Sequence, residues 1–259
     1  LRICIFGANT YPMNIKSYLD STYLKLPEQV GLSEEEHLKV VKNCIQEAID
    51  EAFKLIMIRP EMVKIAREMI DEAGSKVAVG TVIGFPEGTA SLTQKLEEAN
   101  QAIKEGADDL DFVCNYQAFK AGNNALVKQE ILEGTRLGLE HHKVVKWIIE
   151  VAALTHEEII RLATLIKNVI IANFKEPQFP NVFVKSSTGF YPTTEGVPNG
   201  ATIPTVVLML ENCWPLPVKA AGGVRTTSEA LEMIKLGVKR IGTSAAKAIA
   251  HGEISTTAY

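Results

Sequence analysis

Three lysines stand inside runs of otherwise apolar residues. Lys146 lies in VVKWIIE, Lys185 in VFVKSSTGF and Lys219 in PVKAAGGVR. Lysine is almost never fully buried without a partner, so three of them at similar places in strand-like segments point to chemistry. Lys146 reads equally well as a member of a salt bridge. The chemistry that suits a buried lysine is imine formation: a neutral ε-amine attacks a carbonyl, and the iminium that results is an electron sink. Bringing the pKa from about 10.4 to about 7 takes about 4.6 kcal/mol of differential destabilisation of the ammonium. A second ammonium at about 4 Å supplies about 4 kcal/mol at an effective dielectric near 20, and desolvation acts in the same direction. Two lysines on adjacent strands are therefore a sensible unit, with Lys185 and Lys219 the stronger pair.

Acidic residues form a second group. GADDLDFV puts Asp109 and Asp111 two apart, on one face of a strand, with Asp108 at or before its start. Asp111 is the deeper of the pair, flanked by Leu110 and Phe112. A carboxylate among lysines can shuttle protons or serve as their counter-ion, and the two readings are compatible. Asp20 in YLDST is a second candidate at the end of the first strand, where an Asp before Ser-Thr also suits a turn.

A third group could hold an anion. Gly222 and Gly223 stand beside Arg225 in AAGGVRT, Gly242 and Ser244 lie in IGTSAAK, and Ser187, Thr188 and Gly189 follow Lys185. Glycines let backbone N–H groups approach phosphate, and a helix N-terminus favours negative charge. The alternative is that these are plain tight turns.

The elements that must carry these groups alternate. Apolar runs at Leu55–Ile58, Lys76–Ile83, Asp109–Val113, Val144–Glu150, Val182–Ser187, Pro217–Ala221 and Arg240–Thr243 read as strands, and Tyr18–Leu19 opens the first one. Between them lie helical patterns over Glu34–Phe53, Glu61–Ala73, Ser91–Glu105, Asn124–Leu139, Thr155–Asn173, Ile203–Asn212 and Thr226–Leu236, with Ala245–Ala250 last. Thr155 with Glu158, and Thr226 with Glu229, are capping-box starts. The strands are continuous apolar runs, as expected when both faces are covered. About eight strand–helix units in 259 residues predict an α/β fold, a single (β/α)8 TIM barrel. A doubly wound sheet is the rival, and the missing GxGxxG after the first strand speaks against it. In such a barrel the working residues gather at the C-terminal ends of the strands, and the loops after the seventh and eighth strands often bind phosphate.

Composition narrows the partners. The net charge of −4 comes without a basic stripe, so no nucleic acid partner is expected. No apolar run approaches the roughly 20 residues of a membrane span. The four cysteines are far apart and His and Cys do not cluster with zinc spacing, so free thiols, a cytoplasmic location and no metal site are expected. Residues 13–259 are expected to form the single domain. Residues 1–12 are read as extraneous or flexible, since MNIKSYLDS from Met13 resembles a start. The tail ending at Tyr259 is read as frayed rather than as a lid over the site.

Taken together, VFVKSSTGF, PVKAAGGVRT, GADDLDFV and YLDSTYLK resemble the deoxyribose-phosphate aldolase family, class I aldolases on a TIM barrel, over about Lys16 to Ala248. The resemblance implies Lys185 as the Schiff-base lysine, Lys219 as the lysine that perturbs it, and Asp111 as proton donor and acceptor. It places Gly189, Gly222, Gly223, Arg225, Gly242 and Ser244 at the substrate phosphate, with Asp20, Thr22 and Lys146 in a supporting polar network. It implies a lyase that reversibly cleaves 2-deoxy-D-ribose 5-phosphate to D-glyceraldehyde 3-phosphate and acetaldehyde, needs no cofactor, and takes part in deoxyribonucleoside catabolism. A homodimer is compatible with it. Phe190 stands where that family often has lysine, and EVAALT departs from its usual pattern after the fifth strand. An imine-forming aldolase for keto-sugar acids and a sugar-phosphate binder without chemistry are the competing readings.

Overall fold

The computed structural model describes residues 14–253. The expectations for residues 1–12 and for the tail at Tyr259 lie outside the described residues. Eight parallel strands pair in sequence order and close into a barrel. They are β1 Leu19–Thr22, β2 Leu55–Ile58, β3 Ala78–Ile83, β4 Asp109–Val113, β5 Val144–Ile148, β6 Val182–Lys185, β7 Val218–Ala221 and β8 Arg240–Thr243. The helices that follow them are α1 Glu34–Asp50, α2 Val63–Glu72, α3 Leu92–Glu105, α4 Asn124–Glu140, α5 His156–Asn173, α6 Ile203–Cys213, α7 Thr227–Leu236 and α8 Ala246–His251. Short helices over Pro27–Val30 and Tyr116–Lys120 break up the loops after β1 and β4 and were not foreseen.

The caps explain why the helices start where they do. Thr155 accepts from the Glu158 N–H and Thr226 from that of Glu229, with each glutamate bonding back, as the sequence predicts. Ser33 with Glu36 and Ser91 with Gln94 do the same for α1 and α3.

Alternation sorts the strand residues into two sets. Ile56, Val79, Leu110, Val145, Val184 and Ile241 join Val41, Ile45, Ala66 and Ile166 of the surrounding helices in one large core. Their strand neighbours point the other way, into the barrel. Leu55, Met57 and Val82 form a separate interior cluster with Leu24, capped by Phe85 and Phe190. Because β2 and β3 supply apolar residues to the interior, the charged residues of the other strands occupy one side of it.

Several boundaries differ from the sequence reading, and three of them bear on the site. β3 begins at Ala78, not Lys76, and β6 ends at Lys185. β5 ends at Ile148 because Glu150 adopts φ +55°, a left-handed conformation that cannot continue a strand.

Candidate active site

Seven ionisable side chains meet inside the barrel. The ammonium of Lys185 lies 2.8 Å from Asp111 Oδ2, and that of Lys219 lies 2.9 Å from the same oxygen and 2.7 Å from Asp20 Oδ2. Lys146 donates to Asp111 Oδ1 and Asp109 Oδ2, each at 2.7 Å. Arg240 reaches Asp20 Oδ1 at 2.7 Å and Asp109 Oδ2 at 3.1 Å. These contacts join β4 to β6, β7 and β8, strands that are not all neighbours, so they run through the interior. All seven groups are buried.

Register explains the convergence. Asp111 pairs with Lys146 across β4–β5, and Lys185 with Lys219 across β6–β7. The side chain of Lys219 needs space that only glycine leaves: a Cβ on Gly242 would sit 2.9 Å from its Cε. Gly242 therefore shapes the lysine's berth, a role that a phosphate reading alone does not explain.

The charges do not cancel. With all seven ionised there are four cations and three anions, so the cluster is neutral when one lysine gives up its proton. Lys185 is held down, to about 8. Burial is the main cause; Asp111 opposes it, and the Lys219 ammonium adds to it. Burial, not the neighbouring lysine that the sequence puts first, leads here, because Asp111 lies between the two lysines. Lys146 is held above its ordinary value: burial works against the ammonium, but Asp109 and Asp111 outweigh it. Burial would raise Asp111, yet three surrounding lysines hold it well below the usual carboxylate range. Asp20 is lowered by Arg240 and Lys219 in the same way, against burial.

Placement separates the candidates. Lys185 ends its strand, whereas Lys146 and Lys219 sit deeper, at interior positions of β5 and β7. Asp20 is the second residue of β1 and not its end, and its carboxylate is part of the network. Thr22 is not in the network; its hydroxyl donates to the Asp20 carbonyl at 2.9 Å. Arg225 and Ser244 are exposed, and the Arg225 N–H donates to Glu229.

The glycine loops after β6, β7 and β8 are tied to one another. Ala201 N–H donates to the carbonyls of Ala221 and Gly222, and the Thr243 hydroxyl donates to Val224 O at 2.7 Å. Gly189, Gly222 and Gly223 all have positive φ. Gly200 packs against Gly222 so closely that a Cβ there would lie 2.5 Å from the Gly222 Cα. The loop after β6 also crosses the barrel mouth. Phe190 meets the Phe85 ring edge-on at 5.1 Å, Tyr191 meets Tyr116 at 6.2 Å, and Arg59 lies over both phenylalanines.

Three participants escaped the sequence reading. Arg240 opens a strand next to Lys239, and only its two-residue offset from Gly242 shows that it faces inward. Asp109 was seen on the right face but not given a partner. Glu150, in KWIIE, is buried and accepts from Ser187 Oγ and from the N–H and hydroxyl of Thr188.

The DeoC/LacD family aldolase model matches residues 26–252. The deoxyribose-phosphate aldolase of Thermococcus gammatolerans is 39% identical over 241 residues, covering 93% of this chain and 96% of that one. That of Streptococcus pneumoniae serotype 19F is 36% identical, covering 95% of this chain and all of its own. Among solved structures, the aldolase QR15 superposes with a TM-score of 0.76 at 31% identity, over 92% of this chain and 95% of its own. The tetrameric deoxyribose phosphate aldolase of Aeropyrum pernix superposes at 0.72 with 28% identity, over 92% of this chain and 89% of its own.

Proposed function

The chain belongs to the DeoC/LacD family of aldolases and is a class I aldolase on a TIM barrel, and from that premise we propose that it cleaves 2-deoxy-D-ribose 5-phosphate reversibly to D-glyceraldehyde 3-phosphate and acetaldehyde. The observation that carries this reading is one carboxylate oxygen, Asp111 Oδ2, shared by the ammonium groups of Lys185 and Lys219.

Lys185 is the nucleophile. Its pKa is depressed to about 8, and it sits at the mouth end of its strand. Its neutral amine adds to the C1 aldehyde, and loss of water gives the iminium. As C2–C3 breaks, the bonding electrons flow into the iminium to give an enamine, and the C3 hydroxyl proton leaves as the aldehyde forms. Asp111 accepts protons next to the reacting nitrogen. While three ammonium groups surround it, it is a poor proton donor. Lys219 is the adjacent store from which a proton returns to the enamine carbon. Hydrolysis then releases acetaldehyde and restores Lys185.

Gly222, Gly223 and Ser244 offer the backbone and hydroxyl groups of the tied loops to the phosphate, with Arg225 as the exposed cation at the rim; Gly189, whose N–H is engaged by Ser187 Oγ, shapes the phosphate side of the loop after β6. Gly242 acts on this reading through Lys219. Asp20 and Lys146 hold Lys219 and Asp111 in place, and Thr22 supports Asp20 only through its backbone. The enzyme works in the cytoplasm on a free sugar phosphate as a homodimer built from residues 13–259. Among the described residues no helix is long and apolar enough to cross a membrane. Light scattering tests the dimer, and deletion of residues 1–12 without loss of stability or activity tests the domain limit.

Substrate-dependent borohydride reduction followed by peptide mass mapping decides the chemistry. The expected result is one adduct on Lys185. An adduct on another lysine, or an active enzyme that is not trapped, overturns the assignment. Offering aldehyde and keto-acid donors in turn separates this activity from that of a keto-sugar-acid aldolase.

A further inference from the structure

Glu150 lies just beyond β5, and its carboxyl is buried against the first residues of the loop that follows Lys185. Its surroundings allow a count of protons. Ser187 Oγ is 2.8 Å from Glu150 Oε1 and 2.6 Å from the carbonyl oxygen of Asn199. Thr188 Oγ1 is in hydrogen-bond contact with Glu150 Oε2. Each of these three oxygen–oxygen contacts needs one proton between its atoms. The two hydroxyls supply only two. The nearby amides cannot supply the third: the N–H groups of Gly189 and Phe190 donate to Ser187 Oγ and Thr188 Oγ1, and the Thr188 N–H donates to Glu150 Oε2.

We propose that Glu150 is a neutral carboxylic acid in the working enzyme, and that its proton is the fastener that closes the loop of residues 187–199 over the substrate. Oε1–H donates to Ser187 Oγ, which is then free to donate to Asn199 O, while Oε2 accepts from the Thr188 hydroxyl and N–H. Every contact is satisfied in this arrangement. Asn199 Nδ2 closes the loop again at its neck by donating to Gly189 O at 3.0 Å. With an ionised Glu150, one of the two short Ser187 contacts has no proton. Two lone-pair oxygens would then face each other, and the neck of the loop would open.

The groups that face Glu150 are few. Lys185 on β6 favours the anion, while Tyr116, from the short helix after β4, and burial disfavour it; burial is the largest influence and pushes the carboxyl up. The proton also matters for chemistry. The Lys185 cluster already has one cation in excess, and an ionised Glu150 would compensate it and hold Lys185 protonated. A neutral Glu150 leaves that excess in place and so favours the free amine. Glu150 is thus a positioning residue, acting through Ser187 and through Lys185. This inference rests on the aldolase reading above.

Three measurements on the full chain test it. Infrared difference spectra of wild type against E150Q are expected to show a protonated-carboxyl band in the wild type that the variant lacks. E150Q keeps a donor toward Ser187 and an acceptor toward Thr188, its amide carrying one N–H more than the acid, so its KM at neutral pH is expected to stay near that of the wild type. E150A is expected to raise KM about tenfold, as loss of a buried network does. At alkaline pH the wild-type KM rises as Glu150 ionises, while that of E150Q stays flat. The inference is overturned if the band is absent, if E150Q is as impaired as E150A, or if E150Q moves the acid limb of kcat/KM downward, as removal of an anion near Lys185 would. Borohydride trapping in each variant reports on the Schiff base separately: failure to trap in the wild type sinks the aldolase reading, whereas intact trapping with any of these outcomes sinks only the role of Glu150.

Discussion

The two sides of the barrel interior are built on opposite principles. On β2 and β3, Leu55, Met57 and Val82 pack against Leu24 under Phe85 and Phe190, without a charge among them. On β1 and β4–β8, three aspartates, three lysines and an arginine satisfy one another almost without exposure. Buried ion pairs add little net stability, because desolvation offsets their attraction. The charged side therefore reads as the place where the fold gives up stability for chemistry, and the apolar side as what makes that chemistry work. An apolar wall in the same interior leaves less water to solvate the Lys185 ammonium, and burial is the largest influence holding that group down to about 8.

The largest effect is expected from the residue that separates the two sides in function. Lys185→Ala should abolish turnover and borohydride trapping while leaving the fold intact, because the cluster becomes electroneutral without that cation. Measurable cleavage by the variant would move the nucleophile elsewhere.

Asp111→Asn and Lys219→Leu should then part company. Both are expected to slow turnover, Asp111→Asn by about 10²–10⁴-fold as for the loss of a general base. Their pH profiles should shift in opposite directions. Asp111 raises the Lys185 pKa, so the asparagine variant moves the acid limb of kcat/KM below about 8. Lys219 lowers it and also competes for Asp111 Oδ2, so the leucine variant moves the limb above about 8. An unshifted limb in both variants would show that burial alone sets the pKa. Stability has its own sign. Lys185 is depressed in the folded state, so the unfolded chain binds more protons between about 8 and the ordinary value near 10.5. That group's contribution to stability therefore improves as pH rises through that window.

The sequence displayed much of this in advance, but unevenly. Lysines interrupting VVKWIIE, VFVKSST and PVKAAGG were conspicuous because a charge inside an apolar run contradicts its neighbours. Arg240 was not, since it begins its run and reads as a solvated strand start. Glu150 was hidden for the same reason, as the last residue of KWIIE. Capping boxes marked the helix starts because their signal is local, four residues long. The order of influences on Lys185 was out of reach, because it depends on Asp111 lying between two lysines that are 34 residues apart in sequence and one strand apart in space. Gly242 shows the same limit: its sequence context suggested an anion loop, while its missing Cβ is needed by the side chain of Lys219.

Met57→Ala should disturb the apolar side without touching the charges. Met57 is fully buried, and its Cε fills the space where a Cβ on Gly80 would lie. No side chain on β3 at that point can move in to fill the gap. A loss of about 2–5 kcal/mol in unfolding free energy is expected, read from denaturant titration. Turnover should fall less than for Asp111→Asn, with the acid limb moving upward as water enters. A stable variant with an unshifted limb would mean that the apolar wall does not dehydrate Lys185.

The smallest effect belongs to the residue that joins the two sides. Phe190 leaves the loop after the charged strand β6 and crosses the mouth to the apolar cluster, meeting Phe85 and the Arg59 guanidinium. An aromatic pair of this kind is worth about 0.5–1.5 kcal/mol beyond its area, and an exposed cation–π contact about 0.5–1 kcal/mol. Phe190→Ala should therefore leave the fold and the Lys185 adduct intact and loosen only the crossing. The expected result is a rise in KM of roughly two- to tenfold with kcat held within about twofold, since the lost contacts bind and do not react. Phe190→Leu, which keeps the apolar contact but not the ring, should fall between. A drop in kcat at constant KM would show that the crossing loop orients Lys185 itself, and the division between a reactive side and a dehydrating side would no longer hold.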